Sequence, residues 1–388
     1  MTIWRRSFSR YEKTLLFLFL LTLPFVHPAV EGDGVGYYAY LRSPLIDHNF
    51  QFSSDFKDPK NELLSIYLDK HFIPNPITKT GHLPNFYSVG PAILWLPFVA
   101  ITHVVVLTLN HFGWNIAADG HSRPYVVVLC FATALYGFLG LWISFRLARK
   151  YVDEPWAFWA TLAIWLASSL PLFLYLYPSW SHAHSVFCAS LFLWYWDRTR
   201  GTRRPAQWLI LGLLSGLMVD VYSANTVFLL APGIEAAYAY LNAWRKRVAG
   251  LPEFWSNLRL HILYAAGVLL ALLPTFIARE IIYGNPFAAG VYADVRWRWA
   301  HPMFRAVLFD TSHGLFVCTP ILLLALVGLC LLARRRPEIG GPCLAISLAF
   351  YVLISLYPWW FVDQHLTQRQ LIWTYRRLAA ADFDWRFE

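Results

Sequence analysis

Residues 124–150 read PYVVVLCFATALYGFLGLWISFRLARK, and this stretch decides the class of fold. It carries no charge from Pro124 to Phe145 and then ends in Arg146, Arg149 and Lys150. About 20 apolar residues in a helix are enough to cross the hydrocarbon core of a membrane. A block of cations after such a run is typical of the cytoplasmic end of a transmembrane helix. The stretch therefore predicts a membrane span that ends in the cytoplasm.

The composition of the whole chain agrees with a membrane location. Of the 388 residues, 57% are hydrophobic and only 14% are charged, and the mean hydropathy is +0.43. A soluble domain carries about 25% charged residues. The formal net charge of +9 falls in short blocks between apolar runs, which argues for orientation in a membrane and against a nucleic-acid partner. The five cysteines are scattered within apolar runs, form no CxxC pair and are interpreted as packing residues.

We expect an all-α, polytopic transmembrane helical bundle of about nine spans with a cytoplasmic N-terminus. The first run, Thr14–Val30, follows four cations, and we favour an uncleaved helix over a signal peptide because His27 and Pro28 make the cleavage signal poor. With nine crossings, every basic block between the runs faces the cytoplasm. After Pro124–Phe145, the other predicted spans are Trp156–Tyr177, Ala183–Trp196, Gln207–Tyr222, Ser223–Leu241, His261–Ile282, Gly314–Ala333 and Pro342–Pro358.

One apolar run does not fit this scheme as a crossing. Tyr87–Leu109 opens with Gly90-Pro91 and contains Pro97, which suits a broken, re-entrant or interfacial pair of short helices. The predicted domains are then residues 1–30 as an N-terminal tail and first span, 31–123 as a long extracytoplasmic loop with non-crossing juxtamembrane helices, 124–358 as the transmembrane bundle with an outer loop at 283–313, and 359–388 as a polar tail.

The chemistry is expected directly after the first span. Glu31 and Asp33 lie two residues apart in EGDGVGYY, on a loop that three glycines loosen. A carboxylate at the membrane surface can take a proton from an acceptor hydroxyl during group transfer. The alternative is that these acids only mark the end of a helix on the translocated side.

Several motifs resemble those of the GT-C superfamily of membrane glycosyltransferases, in particular bacterial relatives of the protein mannosyltransferases and aminoarabinose transferases. The resemblance runs over roughly Glu31 to Tyr357. It is carried by GDGVGYYAYLRS at 32–43, GHLPN at 81–85, GPAILWLPF at 90–98, YGNPF at 283–287, and SHGLF at 312–316 with Thr319-Pro320.

The resemblance implies inverting transfer of a sugar from a polyprenyl-phosphate donor to an acceptor on the extracytoplasmic face, in a bacterial inner membrane. It implies that Asp33 is the general base or positions the acceptor. Glu31 would assist Asp33, or the two would bind a divalent metal, Mg²⁺ or Mn²⁺, where the family uses one. The acceptor, whether glycan, lipid or protein, is left open.

Other candidates for donor-phosphate or acceptor binding come from the outer segments. Each has a structural alternative: a backbone-bonded histidine, a turn residue, or an arginine contacting lipid headgroups. Arg296 and Arg298 suit a phosphate because a guanidinium binds it bidentately. The further candidates are His182, His184, His82, Asn85 and His313. Asp220 is also noted, because ionisable residues in apolar spans are often functional.

Two other functions are carried as alternatives. A transporter or flippase for a lipid-linked substrate would place polar groups near the midplane on repeated broken helices, and no repeat is found. An inactive scaffold is suggested by the polar tail from Asp363 to Glu388, where family members continue through further spans, so a truncated C-terminus is expected. The chain contains no GxxxxGK[ST] or HExxH motif, which argues against an ATP-driven pump and a zinc protease.

Overall fold

The computed structural model describes residues 8–56, 77–288, 296–311 and 314–358. Within these ranges the regular structure is entirely helical, so the predicted all-α class is confirmed. The chain divides into two compact units, Met1–Val291 and Tyr292–Glu388.

The first unit contains the helices that carry most of the candidate residues. Short 3₁₀ or π turns extend or join several of them, for example Ser43–Asp47 after α2 and Ser223–Leu229 before α9. The helices are α1 (Arg10–Thr22), α2 (Asp33–Arg42), α3 (Ser53–Phe56), α4 (Gly90–His111), α5 (Arg123–Ala148), α6 (Glu154–Leu166), α7 (His182–Thr199), α8 (Pro205–Val221), α9 (Leu230–Arg245) and α10 (Leu251–Tyr283).

Local sequence explains where several of these helices begin. Ser9 and Glu12 form a reciprocal capping box at the start of α1, in which each side chain accepts from the other residue's backbone N–H. Proline occupies the first turn of α5, α6, α8 and α10. Its missing N–H has no partner at that position in any helix, so it starts a helix without loss.

Most cations of the first unit gather at one end, which we call the basic end; Arg42, Lys79, Arg123 and Arg279 lie elsewhere. The basic end comprises the start of α1, the end of α5, the end of α7 and the start of α8. Ion pairs that join helices there include Arg146–Glu12 at 2.6 Å, Lys150–Asp197 at 2.6 Å and Arg203–Glu235 at 2.9 Å. Because this end collects both starts and ends of helices, α1, α5, α7 and α8 do not all run the same way, and the candidate residues before α7 and at the end of α8 lie about one helix length away from it.

Helices α8 and α10 pack side by side through small residues. A Cβ atom at Gly212 would overlap the carbonyl of Tyr264, and one at Gly267 would lie 2.5 Å from the carbonyl of Leu209. Gly212 and Gly216 form the GxxxG spacing that lets helix backbones approach closely in membranes. The contact runs in parallel register, so that Asp220 at the end of α8 lies beside Thr275 of α10.

Helix α4 corrects one prediction. The run predicted to form a pair of short helices is one continuous helix of 22 residues, and Pro97 lies inside it. It pairs antiparallel with the N-terminal half of α5, through Trp95 to Thr133 at 2.8 Å and His103 to Tyr125 at 2.7 Å. Helix α4 therefore starts beside the middle of α5 and runs away from the basic end.

In the part of the chain that the structure describes, four helices are long and apolar enough to cross a membrane: Gly90–His111, Arg123–Ala148, Arg247–Tyr283 and Pro337–Leu356, with Pro205–Val221 as a shorter apolar helix. They indicate a membrane protein, whereas the count of nine spans stays a prediction. Several predicted spans are interrupted. Gly314–Ala333 breaks at Thr319 and Pro320, between the helices Leu315–Cys318 and Ile321–Arg335. Trp156–Tyr177 breaks after Leu166, and Ser223–Leu241 opens with a 3₁₀ segment before α9.

The second unit has four described helices: α11 (Phe304–Phe309), α12 (Leu315–Cys318), α13 (Ile321–Arg335) and α14 (Pro337–Leu356). The segment before α11 is fixed to the end of α14. The backbone N–H of Arg298 donates to the Leu356 carbonyl at 2.9 Å, and that of Met303 donates to the Ser355 carbonyl at 2.8 Å.

Candidate functional site

Asp33 is the first residue of α2, and the position before it, Gly32, accepts only a residue without a side chain. Gly32 has a φ of +55°, and a Cβ atom there would lie 3.0 Å from the ring of Trp180. An acidic residue in the first turn is stabilised by the exposed N–H groups and the dipole of the helix. The backbone therefore presents Asp33, which is half-buried, at a defined position.

The glycines that follow do not loosen a loop, which corrects the prediction made from their spacing. Gly34 and Gly36 lie within α2, and both are buried. A Cβ at Gly34 would overlap Ser179, and one at Gly36 would overlap the ring of Tyr87. These glycines allow two other segments to pack directly on the helix that carries Asp33.

Tyr87 contacts the Asp33 carboxylate. Its hydroxyl donates to Asp33 Oδ1 at 2.7 Å. The ring of Tyr87 packs on that of Tyr37 at 4.7 Å between centroids, and the Ser181 hydroxyl donates to Tyr37 Oη at 3.2 Å. Three segments distant in sequence thus meet at Asp33. A carboxylate that accepts a hydrogen bond from a phenol is held in one orientation, as a general base requires.

Glu31 is exposed, and the contacts that hold it in place are made by its backbone. Its N–H donates to Ser179 Oγ at 3.1 Å, and its carbonyl accepts from Trp180 Nε1 at 3.1 Å. The described part of the chain brings no cluster of three or more His, Cys, Asp or Glu side chains together as metal ligands. A divalent ion held by Asp33 and Glu31 stays a prediction.

The two predicted histidines lie on different sides of α7, as their spacing indicates. His182 stacks on Phe173 at 3.9 Å and lies 6.0 Å from the Trp180 ring, so it belongs to the wall beside Gly32. His184 is fully buried against Trp95 at 5.0 Å and has no hydrogen-bond partner for either ring nitrogen among the described residues. His182 thus remains a candidate for ligand binding, and His184 packs between helices.

Asn85 and His82 hold the segment before α4 in place. Asn85 is buried, donates through Nδ2 to the Gly36 carbonyl at 2.8 Å, and accepts from the Tyr40 hydroxyl at its own carbonyl. The ring of His82 meets the hydroxyl of Thr80 at 3.0 Å. The turn role considered for both residues agrees with these contacts.

The remaining candidates belong to the second unit. Arg296 and Arg298 are both exposed, and His313 lies outside the described residues. Their role in binding a donor phosphate stays a prediction.

Sequence reasoning missed the function of Arg42, which ends α2. Its guanidinium is 2% exposed, donates to Asp55 Oδ1 at 2.5 Å, and reaches the Asp119 carbonyl at 3.0 Å. It also pairs with Asp47. Burial acts to raise the pKa of Asp47, but the hydrogen bond and charge of Arg42 outweigh burial and hold that pKa below its ordinary value. The helix that begins with Asp33 is therefore anchored at its other end by a buried ion pair with Asp55 and a partly exposed one with Asp47.

Comparisons of this chain with protein-family models, with curated proteins and with solved structures gave no match. The resemblance to membrane glycosyltransferases therefore stays a prediction from the residues quoted above.

Proposed function

We propose that the chain is a membrane glycosyltransferase that moves a sugar from a polyprenyl-phosphate donor to an acceptor on the extracytoplasmic face, with Asp33 as the general base. The observation that carries this proposal is the Asp33–Tyr87 hydrogen bond at 2.7 Å, on a half-buried carboxylate beside the start of α7 and away from the basic end.

The length of α7 supports a site at the membrane surface that lies away from the basic end. Helix α7 has 18 residues from His182 to Thr199, which corresponds to about 27 Å at 1.5 Å per residue. A hydrocarbon core is about 30 Å thick. If the basic end faces the cytoplasm, as the positive-inside rule predicts, His182 and the neighbouring Trp180 wall lie near the opposite headgroups. Lipid phosphates lie at that depth.

The proposed reaction needs a proton acceptor and a site for an anionic leaving group. The acceptor hydroxyl attacks the anomeric carbon of the sugar as its proton passes to Asp33. The bond from that carbon to the phosphate oxygen breaks, and polyprenyl phosphate leaves with the bonding electrons. Tyr87 orients the base. A cation near the phosphate would stabilise its developing charge, and Arg296 and Arg298 stay the sequence-based candidates for that contact. His182 could contact the ligand only as a neutral imidazole, because burial lowers its pKa to about 4.

A transporter is less well supported. Asp220, an ionisable residue in an apolar run, lies in the last turn of α8 and contacts Thr275 instead of forming a midplane cluster.

The test is the release of polyprenyl phosphate from polyprenyl-phosphate hexose and pentose donors by the purified protein, with a membrane extract as acceptor. Asp33→Asn keeps the size of the side chain and removes the base. General-base catalysis contributes about 10²- to 10⁴-fold, so the variant should lose at least about 100-fold in rate. Asp153→Asn is a matched control, because Asp153 is exposed beside the basic end.

Equal rates for Asp33→Asn and the native protein would remove Asp33 from the mechanism. The absence of release from every donor by the native protein, in a membrane extract from its own host, would refute the proposed function.

A further inference from the structure

Asp220 is a buried carboxyl with a defined partner. It is 3% exposed, its Oδ1 accepts from the Thr275 hydroxyl at 2.6 Å, and its Oδ2 has no partner among the described residues. Burying a carboxyl at the end of an apolar helix is costly, and such residues usually serve a function.

The Thr275 hydroxyl makes a second hydrogen bond, and the two bonds depend on each other. A hydroxyl has one proton to donate and lone pairs to accept. Since the proton of Thr275 is directed to Asp220, a lone pair is left to accept from the backbone N–H of Val89 at 3.0 Å. Without Asp220, the proton is free to turn toward Val89 and to displace this contact.

The same segment touches α8 at two further points. The Ser88 hydroxyl donates to the backbone carbonyl of Asp220. A Cβ at Gly90 would overlap the backbone of Asp220 and Val221, so glycine allows the start of α4 to lie directly on the end of α8. Residues 88–90 therefore pack on the end of α8 and on Thr275 of α10.

The residue before this segment is Tyr87, whose hydroxyl donates to Asp33. We propose that Asp220 and Thr275 are positioning residues, which hold the backbone at Val89 so that Tyr87 meets the Asp33 carboxylate. This inference rests on the proposed function for its consequence in catalysis. The geometry itself can be read without turnover.

We call this series of contacts, from Asp220 through Thr275 and Val89 to Tyr87, the relay. The substitutions that test it follow from the chemistry of each atom. Thr275→Ser keeps the hydroxyl, and Asp220→Asn keeps an acceptor at Oδ1. Thr275→Val removes the hydroxyl at nearly the same shape, and Asp220→Ala removes the acceptor. Ser144→Ala is the control, because Ser144 bonds Ser190 between α5 and α7 at 2.8 Å, away from the relay.

The measurement is the ¹⁹F resonance of 3-fluorotyrosine placed at position 87 of the full-length protein in detergent. In Thr275→Val and Asp220→Ala, the resonance should move toward that of the Asp33→Asn variant. In Thr275→Ser, Asp220→Asn and Ser144→Ala, it should stay at the native position. A native resonance in Thr275→Val overturns the proposal, as does a moved one in Thr275→Ser. Far-ultraviolet circular dichroism identifies any variant that fails to fold, and the Ser and Asn variants still decide the outcome.

The catalytic consequence is measured separately. In the release assay with a polyprenyl-phosphate sugar donor, Thr275→Val should lower kcat about tenfold and leave the donor KM unchanged. A misoriented base affects the reaction step and not donor binding. Thr275→Ser should restore the native kcat. If the native protein turns over and Thr275→Val has the native kcat, the positioning role is wrong. If the native protein itself is inactive, the proposed function fails, and the ¹⁹F result alone decides the relay.

Discussion

Replacing Arg42 by Met should open the segment that carries Asp33. Arg42 and Asp55 are each 2% exposed at the side chain, and their Nε–Oδ1 distance is 2.5 Å. Removing one partner of a buried ion pair costs about 3 to 5 kcal/mol, because the remaining charge is left buried and unpaired. Since 1.4 kcal/mol corresponds to about a tenfold change in an equilibrium constant, even 3 kcal/mol makes local opening more frequent by roughly 100-fold.

The measurement is hydrogen–deuterium exchange of peptides from α2, because the backbone amides of Tyr38 to Arg42 are protected only while the helix is closed. The control is Lys246→Met. Lys246 pairs with Glu253 at 2.6 Å, a similar distance, but both side chains are about half exposed, at 53% and 50%. An exposed pair contributes about 0 to 1 kcal/mol, so its loss should change exchange little. Exchange in α2 of Arg42→Met within about threefold of the native rate would refute the reasoning. So would an equal effect of both substitutions on their own helices.

Three further outcomes are expected. The pKa of Asp47 lies below its ordinary value, so its contribution to stability is present above the unfolded pKa of about 4 and is lost as the pH falls through the lower folded pKa; exchange in α2 should rise in that acid range, and less so in Asp47→Asn. Gly212→Leu should separate α8 from α10, since even a Cβ there overlaps the Tyr264 carbonyl; a lower thermal-unfolding temperature than for Gly233→Leu, where a Cβ meets nothing within 4 Å, checks this. Glu31→Cys should react with an impermeant thiol reagent in intact cells above the background of the native cysteines, whereas Arg204→Cys should react only after the cells are opened; the reverse pattern would overturn the orientation.

Helix α5 shows what composition predicts well. The predicted run Pro124–Phe145 lies inside the observed helix Arg123–Ala148. A long apolar run in a membrane must satisfy its backbone groups internally, and a helix does so residue by residue. Length and hydropathy are therefore sufficient, and no knowledge of the neighbours is needed.

The break after α6 shows what hydropathy does not register. The Ser168 hydroxyl donates to the Ile164 carbonyl at 2.6 Å and accepts from the Leu170 N–H at 3.2 Å, and Pro171 follows. A side chain that bonds nearby backbone groups offers the chain an alternative to the helix, and proline cannot continue the donor pattern. Hydropathy does not reveal this competition, because it takes no account of hydrogen bonds between side chains and the backbone.

The partners in the candidate site were beyond prediction for another reason. Tyr87 is 54 positions from Asp33, and Thr275 is 55 positions from Asp220. Periodicity within one helix reports which face is apolar, and it contains no information on which distant helix that face meets. The tight contacts of Gly34 and Gly36 have the same origin: the spacing marks glycines, and only the fold shows what approaches them.

Asp33 and Asp220 differ in what their carboxyl groups can reach. A general base must come within hydrogen-bond distance of the proton it takes. Asp33 is half-buried at the start of a helix, whereas Asp220 is 3% exposed beneath Thr275 and the Ser88–Gly90 segment. An acceptor hydroxyl can approach Asp33 without any displacement of helices, and it cannot approach Asp220. In the proposed mechanism, Asp33 is therefore the reactive carboxylate, and Asp220 acts only through it.

This order has a consequence that a double-mutant cycle measures. If Thr275 acts by orienting Asp33, its substitution has nothing left to affect once the base is gone. Residues that act as a unit show non-additive losses, whereas independent sites add. The Asp33→Asn/Thr275→Val protein should therefore be no slower than Asp33→Asn alone, although Thr275→Val costs about tenfold in the native background. A further tenfold loss in the double variant would mean that Thr275 contributes to the reaction independently of Asp33.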